Sequence, residues 1–341
     1  MNQNITIKDI ARKFKCSPST VSRALNNNAL INIETRKTIQ EYAQKMGYEK
    51  NTISLSLLQK STKTIGVIIP SISHSHETLM INGIQSVINK MGYMLNFGIT
   101  NEKHQLEKEH LKRFMANRVD AIFVSVAFET SKLGDFSHFK DIQKRNVPLI
   151  FIDRNVHLEE SISFTVNDFK GAYLATKHLI DLGRKKIAHI KGPEGLNVSE
   201  MRLMGYLKCL KDHNIEINPN FIKQADFDIE SALLPTSQLF ESENKPDAIF
   251  CSNDYVCLGA MKVLQEKNLR IPEDVAIIGF DNCPISEFFY PPLSSIERKS
   301  FLLGEQAASF LTDQLSDMDN RVKDYRTVFN PELIIRKSTV S

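Results

Sequence analysis

No stretch of this 341-residue chain approaches the eighteen or so uninterrupted apolar residues of a membrane span, and the polar N-terminus lacks the apolar core of a secretion signal. A cytoplasmic protein with no membrane partner is expected, so the sequon Asn197-Val198-Ser199 carries no weight. Cysteine is sparse: Cys16, Cys209, Cys251, Cys257 and Cys283 are an odd number without a C-x-x-C pair, which favours reduced thiols over a disulfide framework or a zinc site. Also missing are G-x-G-x-x-G, the P-loop and the G-x-S-x-G nucleophile elbow. His74 and His76 stand in H-x-H spacing, but two histidines on one loop are more often solvated than metal-bound. His76-Glu77-Thr78-Leu79-Met80 departs from the zincin pattern at its last position. No catalytic residue, metal or cofactor is nominated, and binding without chemistry is the expectation.

What is present is an uneven charge. Residues 1–63 hold eleven Lys and Arg against four Asp and Glu, whereas the remainder holds 32 against 36. Basic charge is concentrated where a polyanion would bind, although a solvated basic face would look the same. Within that segment, Ser17-Pro18 reads as a helix start, with Ser17 capping free N–H groups and Pro18 at the first helical position. Val21, Ala24 and Leu25 recur at helical spacing and face inward. Ser19, Thr20, Ser22, Arg23 and Asn26 are left outward, a set rich in hydrogen-bonding groups and free of acid. A preceding helix starts at Thr6 with Ile7, Ile10, Ala11 and Phe14 as its apolar stripe. A third runs from Asn32 through Ile39, Tyr42 and Ala43 to Gly47. The Lys15-Cys16 connection is a tight corner, the spacing of a helix-turn-helix whose second helix enters the major groove.

Thr6-Ile-Lys-Asp-Ile-Ala11, Ser17 to Asn26, Glu34-Thr-Arg36 and Met46-Gly-Tyr48 together resemble the headpiece of the lactose/galactose-repressor (LacI/GalR) family. The resemblance implies that residues 1–50 are a DNA-binding headpiece. It also implies that residues 51–63 are a hinge folding on operator DNA, with Leu57 wedged into a minor-groove step and Ser54 beside the groove. Lys50 stands where a proline commonly precedes that hinge, and Ser54-Leu55 where Ala-Arg is usual. A plain linker is the alternative.

From Thr64 short apolar runs alternate with amphipathic segments. Ile65–Ile69, Tyr93–Ile99, Ala121–Val126 and Leu149–Ile152 read as buried parallel strands, with helices over Leu79–Met91, Gln105–Met115 and Phe136–Lys144 between them. Lys186 to Gly192 begins the pattern again, and strands are expected at Ile222–Ala225, Ala248–Cys251, Val275–Phe280 and finally Leu333–Arg336. Two doubly wound α/β halves follow, with the ligand expected at the carboxyl ends of the strands. Arg202-x-x-Gly-Tyr206, Asn253-Asp254 and Ile271 to Asp281 resemble the periplasmic-binding-protein-like core of the same family, so the resemblance spans 64–341. Its N-subdomain is expected at about 64–161 and 294–320, its C-subdomain at about 162–293 and 321–341.

The resemblance places a small effector, a sugar or sugar derivative, against Asp153, Arg154, Arg202, Asn253 and Asp281, residue types that accept from or donate to vicinal hydroxyls. Asp153 and Arg154 could instead form an interdomain ion pair. Phe227 stands at an aromatic position of the pocket or in the core. Asp168 either contacts ligand or caps the helix beginning near Lys170. Ser73-His74-Ser75-His76-Glu77 replaces the family's apolar pocket loop, so either the effector is unusually polar or charged, with His76 beside it, or this loop points elsewhere.

The implied protein is a sequence-specific transcriptional regulator, a repressor, acting on double-stranded operator DNA as a homodimer and released or recruited by its effector. Arg23 would read a guanine; Thr6, Ser17, Pro18, Ser19, Thr20, Ser22 and Asn26 would contact bases, phosphates or place the helix. Helices Leu79–Met91 and Phe301–Leu315 are the dimerisation candidates, and no leucine heptads follow for a tetramer. The alternative is a sugar-binding receptor without DNA regulation.

Overall fold

The structure, a computed structural model, describes residues 5–49, 61–156, 158–317 and 320–340. The expectations for Lys50, Ser54, Leu55 and Leu57 lie outside the described residues. The chain divides into two compact units, Met1–Thr62 and Lys63–Ser341.

The first unit contains α1 (Ile7–Lys13), α2 (Pro18–Leu25) and α3 (Ile33–Lys45). α1 is held at its start by a capping box: the Asp9 amide donates to Thr6 Oγ1 at 3.3 Å and the Thr6 amide to the Asp9 carboxylate at 3.0 Å. Lys15 turns the chain with a left-handed φ of 47°. Ile10, Ala11, Val21, Ala24, Ile39 and Ala43 form the core, with Phe14 edge-on to Tyr42 at 5.4 Å. Gln40 on α3 donates to Ala24 O at 2.9 Å and Asn27 Oδ1 at 2.7 Å, tying down the end of α2.

The second unit runs β1 (Thr64–Ile69), α4 (Ser75–Ile88), β2 (Met94–Ile99), α5 (His104–Ala116), β3 (Ala121–Val124), α6 (Phe128–Leu133), α7 (Ser137–Lys144), β4 (Leu149–Ile152) and β5 (Ile162–Val166). It continues through α8 (Asp168–Asp181), β6 (Ile187–Lys191), α9 (Asn197–Asp212), β7 (Ile222–Gln224), α10 (Leu233–Leu239), β8 (Ala248–Cys251) and α11 (Asp254–Glu266). The last elements are β9 (Ala276–Asp281), β10 (Ser294–Glu297), α12 (Ser300–Ser316), β11 (Tyr325–Phe329) and β12 (Glu332–Ile334). One six-stranded sheet has the order β11-β5-β4-β3-β1-β2, all parallel; the other has β12-β10-β9-β8-β6-β7, parallel except for β12.

Period-two alternation on β1 explains the layering. Ile65, Val67 and Ile69 pack under α4 and α12, while Ile68 joins Leu111 and Phe114 of α5 on the other face. Residue 66, on that second face, is a glycine with its backbone close against α5: a Cβ there would stand 2.4 Å from the Phe114 ring. α4 and α12 touch backbone to backbone: a Cβ on Gly83 would lie 2.1 Å from Phe301 O, and one on Gly304 2.0 Å from Met80 O.

The expected subdomain limits need correction at three strands. β5 and β11, assigned from sequence to the C-subdomain, belong to the first sheet, where β5 pairs with β4 and β11 with β5. β10, assigned to the N-subdomain, pairs with β9 in the second sheet. The chain therefore crosses between sheets after β5, between β10 and α12, and between β11 and β12. The first and last crossings adjoin: the Asn167 amide donates to Phe329 O at 2.9 Å and Lys170 Nζ to Asn330 Oδ1 at 3.1 Å.

Candidate functional site

Two surfaces carry the residues nominated from sequence. On α2, Ser17 Oγ accepts the Thr20 amide at 3.1 Å and lies 2.7 Å from Ser19 Oγ and 2.9 Å from Thr20 Oγ1, so these hydroxyls are engaged in the cap. Val21 and Ala24 are fully buried, whereas Ser17, Pro18, Ser19, Arg23 and Asn26 are exposed and Thr20 and Ser22 half-buried. Arg23 is thus a long cation projecting from a helix whose other face is fixed in a core. Thr6 is exposed too, but its side chain is committed to the α1 capping box.

The second surface is a cavity of about 150 Å³ at the carboxyl ends of the strands. His76, Asp153, Arg154, Arg202, Phe227, Asn253 and Asp281 all line it; the polar segment after β1, expected as a loop, is helical from Ser75, and the first turn of α4 carries His76 into the cleft. Asp153 directly follows β4 and Asp281 ends β9. With Phe227 they adopt left-handed φ values of 64°, 101° and 67°, a conformation costing about 1–3 kcal/mol per non-glycine residue. Local strain thus turns three strand-end side chains into one space.

Asp153 and Arg154 do not pair with each other. Arg154 Nη1 donates to both Glu102 oxygens, at 2.8 and 3.0 Å. Asp153 takes Arg298 Nη2, and Arg298 Nη1 also lies 3.3 Å from Asp281. Arg202 donates from Nε to Asp168 at 2.8 Å, approaches Asp281 at 3.8 Å, and lies with its guanidinium carbon 3.8 Å over the Phe280 ring. Asp168 therefore holds Arg202; the cap of α8 is Asn167, which accepts the Lys170 amide at 2.9 Å. Asn253 caps α11 through the Val256 amide at 2.8 Å and donates to Phe227 O at 2.9 Å, so its amide mainly builds the wall.

His76 stands between two acids, 3.7 Å from Asp153 and 3.7 Å from Asp281. Burial opposes its charge, yet Asp281 and Asp153 raise its pKa above the usual imidazole value. Burial, with the neighbouring His76 charge, pushes His74 the other way. Burial would also raise the Asp153 carboxyl, but Arg298 and His76 hold it well below the usual carboxylate range. Behind the wall, burial pushes Asp254 up to about 7 while it accepts from the Cys283 amide, Ser286 and Ser295.

Sequence reasoning missed four charged members of the lining: Asp226, exposed at its rim, and three others. Glu102 is the partner of Arg154, and Arg298, in the crossing between β10 and α12, joins Asp153 to Asp281. The third is Glu77, 1% exposed, whose Oε2 has no hydrogen-bond partner among the described residues. Burial pushes its carboxyl up to about 7, against the pull of His76 and Arg154.

Among the described residues one group has metal-ligand types in reach of each other, His104, Glu107 and His138 on α5 and α7, with donor atoms within 4.8 Å. Glu107 is already engaged by the Ala127 amide at 2.8 Å, Thr130 Oγ1 at 2.6 Å and His138 Nε2 at 2.9 Å, which reads as a structural knot. No helix among the described residues is long and apolar enough to cross a membrane.

Residues 6–51 match the family model for bacterial regulatory proteins, lacI family, and residues 176–339 that for the periplasmic binding protein-like domain. The HTH-type transcriptional repressor PurR of Haemophilus influenzae (strain PittEE) is 32% identical over 338 residues, covering 98% of this chain and 99% of that protein. Two solved structures share the fold at 23% identity. A lac repressor dimer bound to operator and the anti-inducer ONPF has a TM-score of 0.87 over 99% of this chain and 100% of that one. The transcriptional regulator CelR in complex with cellobiose has a TM-score of 0.72 over 98% of this chain and 100% of that one.

Proposed function

The chain belongs to the lacI family of bacterial regulatory proteins, and from that premise we propose that it is a cytoplasmic repressor without enzymatic activity whose grip on DNA is set by a small hydroxylated effector. It is a DNA-binding transcriptional regulator. Two copies would place their α2 helices in successive major grooves of a near-palindromic operator. Arg23 is the base reader, donating to guanine O6 and N7; Ser19, Ser22 and Asn26 contact bases or phosphates. Ser17, Pro18 and Thr20 place the helix, Thr6 meets a phosphate, and Ser54 and Leu57 act at the central minor groove. α4 and α12, packed on one another, are the candidate dimer surface.

The observation that carries the effector reading is the convergence of Asp153, Arg154, Arg202 and Asp281 on one small cavity between two sheets. Its size suits an occupant of about monosaccharide dimensions, below the roughly 300–1,000 Å³ of drug-sized clefts. Effector and DNA affinities are then coupled reciprocally, typically by about 1–3 kcal/mol. The test is selection of a preferred DNA sequence by the full-length protein, followed by titration of sugars into that complex. Binding without sequence preference, or an operator affinity that no small molecule moves, would refute the reading.

A further inference from the structure

We infer that the effector carries a primary amine on a small hydroxylated body, with its ammonium seated against Glu77. This rests on the reading of the cavity as the effector site and narrows its ligand to a chemical class.

The cavity's cations are already answered. Arg154 is held by Glu102, Arg202 by Asp168, and Arg298 by Asp153 and Asp281. A phosphate or uronate would have to take Arg202 or Arg298 from the buried carboxylates of Asp168, Asp153 and Asp281, or compete with the half-buried Glu102 for Arg154. Glu77 has no such answer. It lines the cavity at 1% exposure, with Oε2 unpartnered among the described residues. Asp226, the other unmatched acid of the lining, lies exposed at the rim, where solvent screens it.

A buried carboxylate without donors is costly, and a ligand relieves that cost in proportion to the donors and charge it brings. A hydroxyl brings one donor and no charge. An ammonium brings three donors and the compensating charge, in a charge-assisted bond. The hydroxylated body is favoured by the rest of the wall, where Arg298 Nε is a buried donor with no partner among the described residues. Among the described lining residues only Val198 and Phe227 have apolar side chains.

The experiment titrates D-glucosamine, D-galactosamine and D-mannosamine into the full-length protein by calorimetry. The parent hexoses, the hexuronic acids and the N-acetylated amines serve as comparisons. One amine should bind about tenfold or more tighter than its hexose, its uronic acid and its N-acetyl form. In Glu77→Gln, with folding checked by thermal melting, that preference should fall to within about threefold while hexose binding persists. An amine preference undiminished in Glu77→Gln would overturn the assignment, as would a hexose or uronic acid binding tighter than every amine, or no amine binding at all. None of these outcomes touches the cavity reading, which fails separately if an effector still moves operator affinity in both Asp281→Ala and Arg202→Ala.

Discussion

Replacing Glu77 by glutamine should make the empty protein more stable, and by an amount that depends on pH. The side chain keeps its shape, exchanges one carboxylate oxygen for an NH2 group and no longer titrates. Folding raises the carboxyl from an ordinary value of 4.5 to about 7, so the folded state holds this proton more tightly than the unfolded one. Stability of the natural protein therefore falls as pH rises from about 4.5 to about 7 and is level above, at a cost of about 3 kcal/mol. The glutamine variant escapes that cost. For a unit of this size the gain corresponds to a rise of roughly 6–12 °C in the melting midpoint of the second unit at pH about 8, shrinking towards zero near pH 4.5. Melting both proteins by circular dichroism or calorimetry across that range reads the difference directly. A difference that does not vary with pH, or a variant less stable at pH about 8, would refute the claim that burial strands this carboxylate.

Removing Arg298 should act in the opposite direction. Arg298→Met leaves Asp153 and Asp281 buried with His76 between them and Arg202 3.8 Å from Asp281, and a loss of about 3–5 kcal/mol is expected in urea unfolding; a loss below about 1 would mean the network is not fully desolvated. Arg23→Ala should reduce preference for the selected operator over random DNA by about 1–3 kcal/mol per half-site, measured by competition, and an unchanged ratio removes Arg23 from the reading set. Ile39→Ala, a fully buried site in a core of six small or medium side chains, should cost about 2–5 kcal/mol. It should abolish operator binding while calorimetric effector binding stays normal; DNA binding that survives would show the headpiece core to be more tolerant than its size implies.

Strands buried on both faces were the legible ones. Leu149–Ile152 and Ala248–Cys251 have the limits expected from their apolar runs, because each is covered by helices above and below. Tyr325–Phe329 gave no such run, since it lies at a sheet edge with Tyr325, Arg326 and Val328 exposed. Ser294–Glu297 is interior yet polar: Ser294 reaches Arg336 and Thr339, and Ser295 reaches Asp254, partners far away in sequence. The same distance hid Arg298, which sits 145 residues from Asp153. Glu77 was in plain view beside His76, but its importance lies in burial without a donor, a property of the fold rather than of the letters.

The placement of charge in this molecule has a consequence for how it responds to salt. Arg23, Lys8, Lys13, Lys15, Lys37 and Lys45 stand in solvent, where mobile ions screen them and phosphate binding must release counterions, so operator affinity should fall steeply as salt rises. In the cavity His76, Glu77, Asp153, Arg202, Asp281 and Arg298 are each at least nine-tenths out of solvent, where mobile ions hardly reach. One chain therefore carries two electrostatic sites of unlike character. Dilution or concentration of the medium tunes how long it stays on DNA and leaves nearly untouched what it recognises in its cleft.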